Sequence, residues 1–328
     1  MKQGLSDSFR DLGRYGYQHL GINPGGAMDR MAAQTANFLV GNDRNDAVLE
    51  MHFPAATILL EEQAMIGLTG ADFSATINEA PIQLNTPIII EKGALLQCKQ
   101  IKTGARCYLS VRDGFDIAKW LGSYSTNTTA KAGGYKGRLL LKGDLIGFRF
   151  QQDYATVLKG NDRIFLPWHI DVKDLYPPGN AIRVLAGNAF HLLEEPSKRR
   201  LQSSAFMISA KSNRMGFRMK GDPLKLQKED QIISSGVTNG TIQLLPDGQM
   251  IILMADHQTT GGYPIVAHVI SADLPGLAQL SPNEQISFQF IEPGEAEKLL
   301  FQQQQDLLQL QNACNFRLKE YLQKHELY

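Results

Sequence analysis

Four segments of the chain combine glycine with charged or hydroxyl side chains, and its chemistry can reside there. The densest is Asp256-His257-Gln258-Thr259-Thr260-Gly261-Gly262-Tyr263, directly after the apolar run Met250 to Ala255. A buried strand ending in Asp, Gln, two Thr and two Gly brings hydroxyls and backbone N–H groups to one edge. Such an array stabilises an oxyanion or a carboxylate. Asn213-Arg214-Met215-Gly216-Phe217-Arg218 supplies two guanidiniums, suited to bidentate recognition of a carboxylate. The plainer alternative for this pair is a hairpin with solvated arginines.

The other two segments are less specific. Gly67-Leu68-Thr69-Gly70-Ala71-Asp72 reads as a strand end followed by a carboxylate, and Asp72 is either a general base or a turn cap. Asp11-Leu12-Gly13-Arg14-Tyr15-Gly16, continuing through Gly21 and Gly25-Gly26 to Asp29-Arg30, allows positive φ and close backbone approach before a helix whose free N–H groups can hold an anion. Arg14 and Asp29 are its candidate ligand contacts; a glycine-rich turn with Arg14 in a structural ion pair is the alternative. A long hydroxyl-rich loop spans Leu121 to Thr126 and runs on into Ala132 to Arg138.

The familiar catalytic templates are absent from the sequence. It has no Gly-x4-Gly-Lys-Ser/Thr loop, no dinucleotide fingerprint, no His-Glu-x2-His, no Cys-x2-Cys and no Gly-x-Ser-x-Gly. The seven histidines lack ligand spacing, so no metal site is expected.

The elements that must position these groups are mostly short strands. Arg106 to Arg112 alternates with period two, as do Phe73-Ala75-Ile77, ahead of a turn at Asn78-Glu79, and Ile286-Phe288-Phe290. Thr57 to Leu60, Ile88 to Ile90 and Met250 to Ala255 are apolar runs of strand length, while Lys92-Gly93 and Lys142-Gly143-Asp144 read as corners before further strands. Met28 to Val40 has a helical stripe of Met28, Ala32, Thr35, Ala36 and Leu39, and Gly41-Asn42 stops it. From Glu295 to Gln323 there is no Gly or Pro, and Leu300, Leu307, Cys314 and Tyr321 recur every seven residues, which predicts one long helix. The expected class is mainly β, with a first subdomain over 1–160 (helix 28–40 included), a second over 161–293 and a C-terminal helix over 294–328.

Thirty-three Lys plus Arg balance thirty-three Asp plus Glu across 328 residues, so no net positive field exists to attract nucleic acid or an anionic membrane. No apolar run reaches the roughly 20 residues of a membrane helix. Three scattered cysteines read as reduced thiols, and the expected location is cytoplasmic.

Taken in order, Gln18-His19-Leu20-Gly21, Gly26-Ala27-Met28-Asp29, Leu68-Thr69-Gly70-Ala71-Asp72, Leu121-Gly122-Ser123, Ser212-Asn213-Arg214-Met215-Gly216, Gln258-Thr259-Thr260-Gly261-Gly262-Tyr263 and Ser271-Ala272-Asp273-Leu274-Pro275 resemble the PxpC or KipA family, the C-type subunits of 5-oxoprolinase. This family is also called allophanate-hydrolase subunit 2 or biotin-dependent carboxyltransferase, and the resemblance runs over about residues 4 to 290. It implies cyclophilin-like β-barrels, two such subdomains here. It implies two partner chains, one PxpB-like (KipI-like) and one PxpA-like, in a 5-oxoprolinase complex that opens 5-oxoproline to glutamate while hydrolysing ATP. The alternatives are the carboxyltransferase half of a urea carboxylase-like enzyme, which uses biotin, and a KipA-type regulatory protein that sequesters a kinase inhibitor. Residue chemistry then suggests roles under the first reading: Thr259, Thr260, Gly261 and Gly262 for the oxyanion, Arg214 or Arg218 for the substrate carboxylate, and Asp72 or Asp256 as base. Arg14, Asp29, Asn213, Gln258 and Tyr263 are the further substrate contacts.

Overall fold

The computed structural model describes residues 2–228 and 233–327, which fall into two units. The first unit comprises Met1–Gly13, Asp29–Lys173 and Gln305–Tyr328, and the second Arg14–Met28 and Asp174–Gln304. The first holds strands β1 (Ser8–Arg10), β2 (Val48–Met51), β3 (Ile58–Leu60), β4 (Ala64–Asp72), β5 (Ala75–Ile77), β6 (Ala80–Pro81), β7 (Ile88–Ile90), β8 (Ala94–Cys98), β9 (Thr103–Val111) and β10 (Arg163–Phe165), with helices α1 (Arg30–Val40) and α2 (Ala155–Leu158). They make a six-stranded sheet ordered β1-β2-β9-β4-β7-β10 and a four-stranded sheet ordered β3-β8-β5-β6.

The long central strands β4 and β9 show how the sequence sets the packing. Ile66, Leu68, Cys107, Leu109 and Val111 point into one apolar cluster with Ile88 and Ile90. On the opposite face Thr69 and Ser110 donate their hydroxyls to the carbonyls of Ala32 and Ala36 in α1. A Cβ on Gly67 would lie 2.6 Å from the Ala36 oxygen, so glycine there lets the helix settle on the sheet. α1 starts two residues after Met28, because the Asp29 side chain caps it by accepting from the Ala32 N–H. Every residue from Met31 to Val40 except Gln34 is buried, in place of the single stripe the sequence suggests.

Residues 145–148, expected to be a strand after Lys142-Gly143-Asp144, form none: Phe148 makes one isolated bridge to Phe115. Arg138 clamps Asp144 through two 2.7 Å hydrogen bonds and holds this stretch as a loop, with Ile146 and Phe148 packed on the apolar cluster.

The second unit holds β11 (Ala181–Ala186), α3 (Glu195–Ser203), β12 (Phe206–Ile208), β13 (Gly216–Lys220), β14 (Ser235–Gly236), β15 (Thr241–Leu244), β16 (Met250–Leu253), β17 (Thr260–Gly261), β18 (Ile265–Val269), α4 (Leu274–Ala278) and β19 (Gln285–Phe290). Seven strands close a barrel in the order β11-β18-β15-β16-β13-β12-β19, and parallel pairing of β19 with β11 completes it. Alternation fills the interior: Ile182, Val184, Phe217, Met219, Ile242, Leu244, Met250, Ile252, Ile286 and Phe288 share one core. A last helix, α5 (Pro293–Lys324), buries Leu307, Cys314 and Leu318. No helix among the described residues is long and apolar enough to cross a membrane.

Candidate functional site

Inward alternation in the barrel leaves the intervening side chains outside, and three of them fall in one row. Arg218 of β13 lies opposite Ile251 of β16, and Ile251 lies opposite Gln243 of β15. This row floors a cavity of about 510 Å³ on the outer face of the barrel. Its size is within the roughly 300–1,000 Å³ of small-molecule sites. Lys211, Asn213, Gln258 and Tyr263 line it as well.

The turn at one side is built by Asn213, whose Oδ1 accepts from the N–H of Met215 at 2.8 Å and whose N–H donates to the Gly216 carbonyl. On the loop after β16, the buried ring of His257 meets the Gln258 carbonyl through Nδ1, which pins the backbone that presents Gln258. Burial pushes the His257 pKa below the ordinary imidazole value, which favours the neutral ring. Neither Lys211 nor Arg218 makes an ion pair among the described residues, and Asp247 is the one carboxylate in the lining. The cavity therefore carries a positive bias.

Gln243 is the group that sequence reasoning missed. It is 1% exposed, and its Oε1 and Nε2 are both buried without a hydrogen-bond partner among the described residues. Such atoms cost about 1–3 kcal/mol each, so the arrangement calls for an explanation. The strand register shifts between Ile242 and Gln243 against β18, a bulge of the kind that re-aims a side chain. A Cβ on Gly261 would stand 2.4 Å from the Gln243 Nε2, so the glycine makes room for the carboxamide. The sequence signal was there in part: a glutamine at an outward position between the inward Ile242 and Leu244. Its alignment with Arg218 depends on strand register and could not be read.

The other expected residues lie outside this cavity. Arg214 and Asp256 form a closed, half-buried ion pair, with Nε–Oδ2 at 2.7 Å and Nη2–Oδ1 at 3.1 Å, and Arg214 also donates to the Gly26 carbonyl. Thr260 and Gly261 form β17, paired with β14, and the Thr259 carbonyl accepts from the Val237 N–H. Gly262 follows, exposed. None of Thr259, Thr260, Gly261 and Gly262 lines the cavity. Arg14 is buried in the second unit, where its N–H donates to the Pro24 carbonyl. Asp29 and Asp72 belong to the first unit: Asp29 caps α1, and Asp72 accepts from the Ser74 N–H and pairs with Lys102 at 3.5 Å. The first unit has its own cavity, about 460 Å³, with a largely apolar lining that includes Phe9, Leu49, Ile58, Leu109 and Phe115. No described cluster of His, Cys, Asp and Glu could hold a metal ion.

Residues 20–290 match the family described as carboxyltransferase domain, subdomain A and B. The chain belongs to that family. The carboxyltransferase-domain match takes in both the Asn213 to Arg218 turn and the Gln258 to Tyr263 loop. The C-type subunit of Escherichia coli 5-oxoprolinase is 34% identical over 310 residues, 94% of this chain and 96% of that protein. Its namesake in Haemophilus influenzae is 33% identical over 292 residues, 89% and 90% of the two chains. Among solved structures, the urea amidolyase of K. lactis matches 94% of this carboxyltransferase-family chain with a TM-score of 0.84 at 27% identity. This chain spans only 19% of that longer protein.

Proposed function

We propose that this chain is the small-amide-binding member of an ATP-dependent 5-oxoprolinase complex that opens 5-oxo-L-proline to L-glutamate. The observation that carries the reading is the outer-face cavity of the second unit, where the unpaired cations Arg218 and Lys211 stand beside amide side chains. A five-membered lactam with a carboxylate is small, planar and anionic. Arg218 takes its carboxylate in a bidentate grip, Ile251 lies under the ring, and Tyr263 and Gln258 close around it. Binding of this kind fixes the lactam in one orientation and costs the complex no further ordering at the reacting carbonyl.

A lactam carbonyl is stabilised by resonance, so water attacks it slowly; ATP, used in the complex, supplies the activation. Both Asp256 oxygens are engaged by Arg214, so a base for the attacking water is assigned to a partner chain, either the PxpA-like or the PxpB-like one. The test is reconstitution with those two partners. Glutamate formation from 5-oxo-L-proline is expected to need all three chains, and undiminished activity without this one would overturn the reading.

A second reading, carboxyl transfer from biotin to urea, draws support from the likeness to urea amidolyase. N-carboxybiotin is also an anionic ring with an amide edge and suits the same cavity. Labelled carboxyl passing from carboxybiotin to urea on this chain would favour it over lactam opening.

A further inference from the structure

We infer that Gln243, held clear by Gly261, is the residue that reads the amide edge of the ligand in this cavity, and that Arg218 two strands away reads its charge. The inference rests on the small-amide reading of the site and deepens it. A primary carboxamide offers one acceptor and two donors. The complementary partner is an amide whose C=O and N–H lie side by side, as in a lactam, where the ring holds the amide cis. Two parallel hydrogen bonds then satisfy both atoms of Gln243 that the folded chain leaves without partners.

The row geometry sets the ligand's length. Adjacent strands are about 4.8 Å apart, so the Cα atoms of Arg218 and Gln243 stand about 10 Å apart with Ile251 between them. A long arginine reaching inward from one side leaves room for one small ring, its carboxylate toward Arg218 and its amide edge toward Gln243. The carboxamide atoms are shut from solvent in the free chain, so rotation about the last side-chain torsions brings them to the ligand. Gly261 is the positioning residue. Its φ is not in the left-handed region, so alanine suits the backbone there, yet the added methyl would meet Gln243 Nε2. Glycine at this place serves the glutamine and not the turn.

Four probes separate the two ends of the ligand: 5-oxo-L-proline has both, 2-pyrrolidinone only the lactam, L-proline only the carboxylate, and urea only a neutral amide edge. Titrated against the full chain by calorimetry or ligand-observed NMR, 5-oxo-L-proline is expected to bind at least tenfold tighter than each of the others. Gln243→Leu should cut its affinity about tenfold and leave that of L-proline unchanged. Gly261→Ala should do the same in the wild-type background and add nothing in the Gln243→Leu background. Thermal melts of each variant confirm folding, and Gln243→Ala, which removes the group that the new methyl would strike, should restore any melting temperature lost to Gly261→Ala. The inference is overturned if the wild type binds no probe, if Gln243→Leu leaves 5-oxo-L-proline binding intact, or if it weakens L-proline equally. Its failure differs from failure of the functional reading: glutamate formation that needs this chain but ignores Gln243→Leu sinks the inference alone, whereas the binding pattern without any role in turnover sinks only the reading.

Discussion

Asp11 in the first unit and Gln243 in the second are each 1% exposed, and they are opposites. The Asp11 carboxylate accepts from four donors: the N–H of Gly13, the hydroxyls of Ser123 and Ser125, and the N–H of Tyr124. Gln243 has no partner for either amide atom among the described residues. Asp11 sits in a glycine-rich segment and Gln243 in a short alternating strand, but burial alone does not separate them. Satisfaction does. A buried polar group with every bond made holds architecture together, while one left open beside a cavity is set for a ligand. Asp7 falls between: it is also buried and, among the described residues, accepts two N–H bonds, from His52 and Ala56.

The largest expected effect comes from breaking the satisfied end. Asp11→Ala leaves four donors unmet and should cost about 3–5 kcal/mol, read by urea denaturation. A loss below about 1 kcal/mol would show that the Ser123 to Ser125 loop does not depend on it.

Asp7 tests the middle case through pH. Burial, foremost, and the nearby Glu50 push its carboxyl up to about 6 against the two N–H bonds. The folded pKa lies above the unfolded one, so this group's contribution is complete below pH 4 and is lost as pH rises through about 6. Asp7→Asn should match the wild type near pH 4 and exceed it by on the order of 3 kcal/mol near pH 7. A difference that stays flat over that range would contradict the assignment.

Arg218→Met removes the charge at the far end of the row while keeping the stem. It should raise the KM for 5-oxo-L-proline about tenfold or more, roughly 1.4 kcal/mol or above, with thermal stability unchanged. An unchanged KM would remove the carboxylate from that end of the cavity.

The smallest effect is the most telling. Gln243→Leu should leave chemical stability within about 1 kcal/mol of the wild type, on the gaining side, because relief of the two unsatisfied atoms is largely offset by fitting a branched side chain into space shaped for a carboxamide. A loss of several kcal/mol would mean that the carboxamide is structural after all.

These cases also mark what the sequence could say. The hairpin after Phe73-Ala75-Ile77 was legible because Asn78 and Glu79 both take positive φ, 49° and 67°, as a tight turn between β5 and β6 demands. The Arg106 to Arg112 alternation was legible as a strand, but burial of both its faces was not, since Ser110 reveals its bond to α1 only when the helix is in place. Asn213, Arg218, Gln258 and Tyr263 were singled out from local composition, and all four line one cavity. The partnership of Arg214 with Asp256, 42 residues apart, hid the fact that each neutralises the other. Gln243 carries no local signal beyond its place in an alternating strand; its meaning comes from the bulge, the register and the glycine facing it.

The most direct measurement follows the Gln243 side-chain N–H₂ resonances by ¹⁵N NMR in the full chain during titration with 5-oxo-L-proline and, separately, L-proline. The account predicts that these two resonances shift and become protected from exchange with the lactam and stay in place with L-proline. Saturable lactam binding that leaves the Gln243 amide unmoved would contradict it.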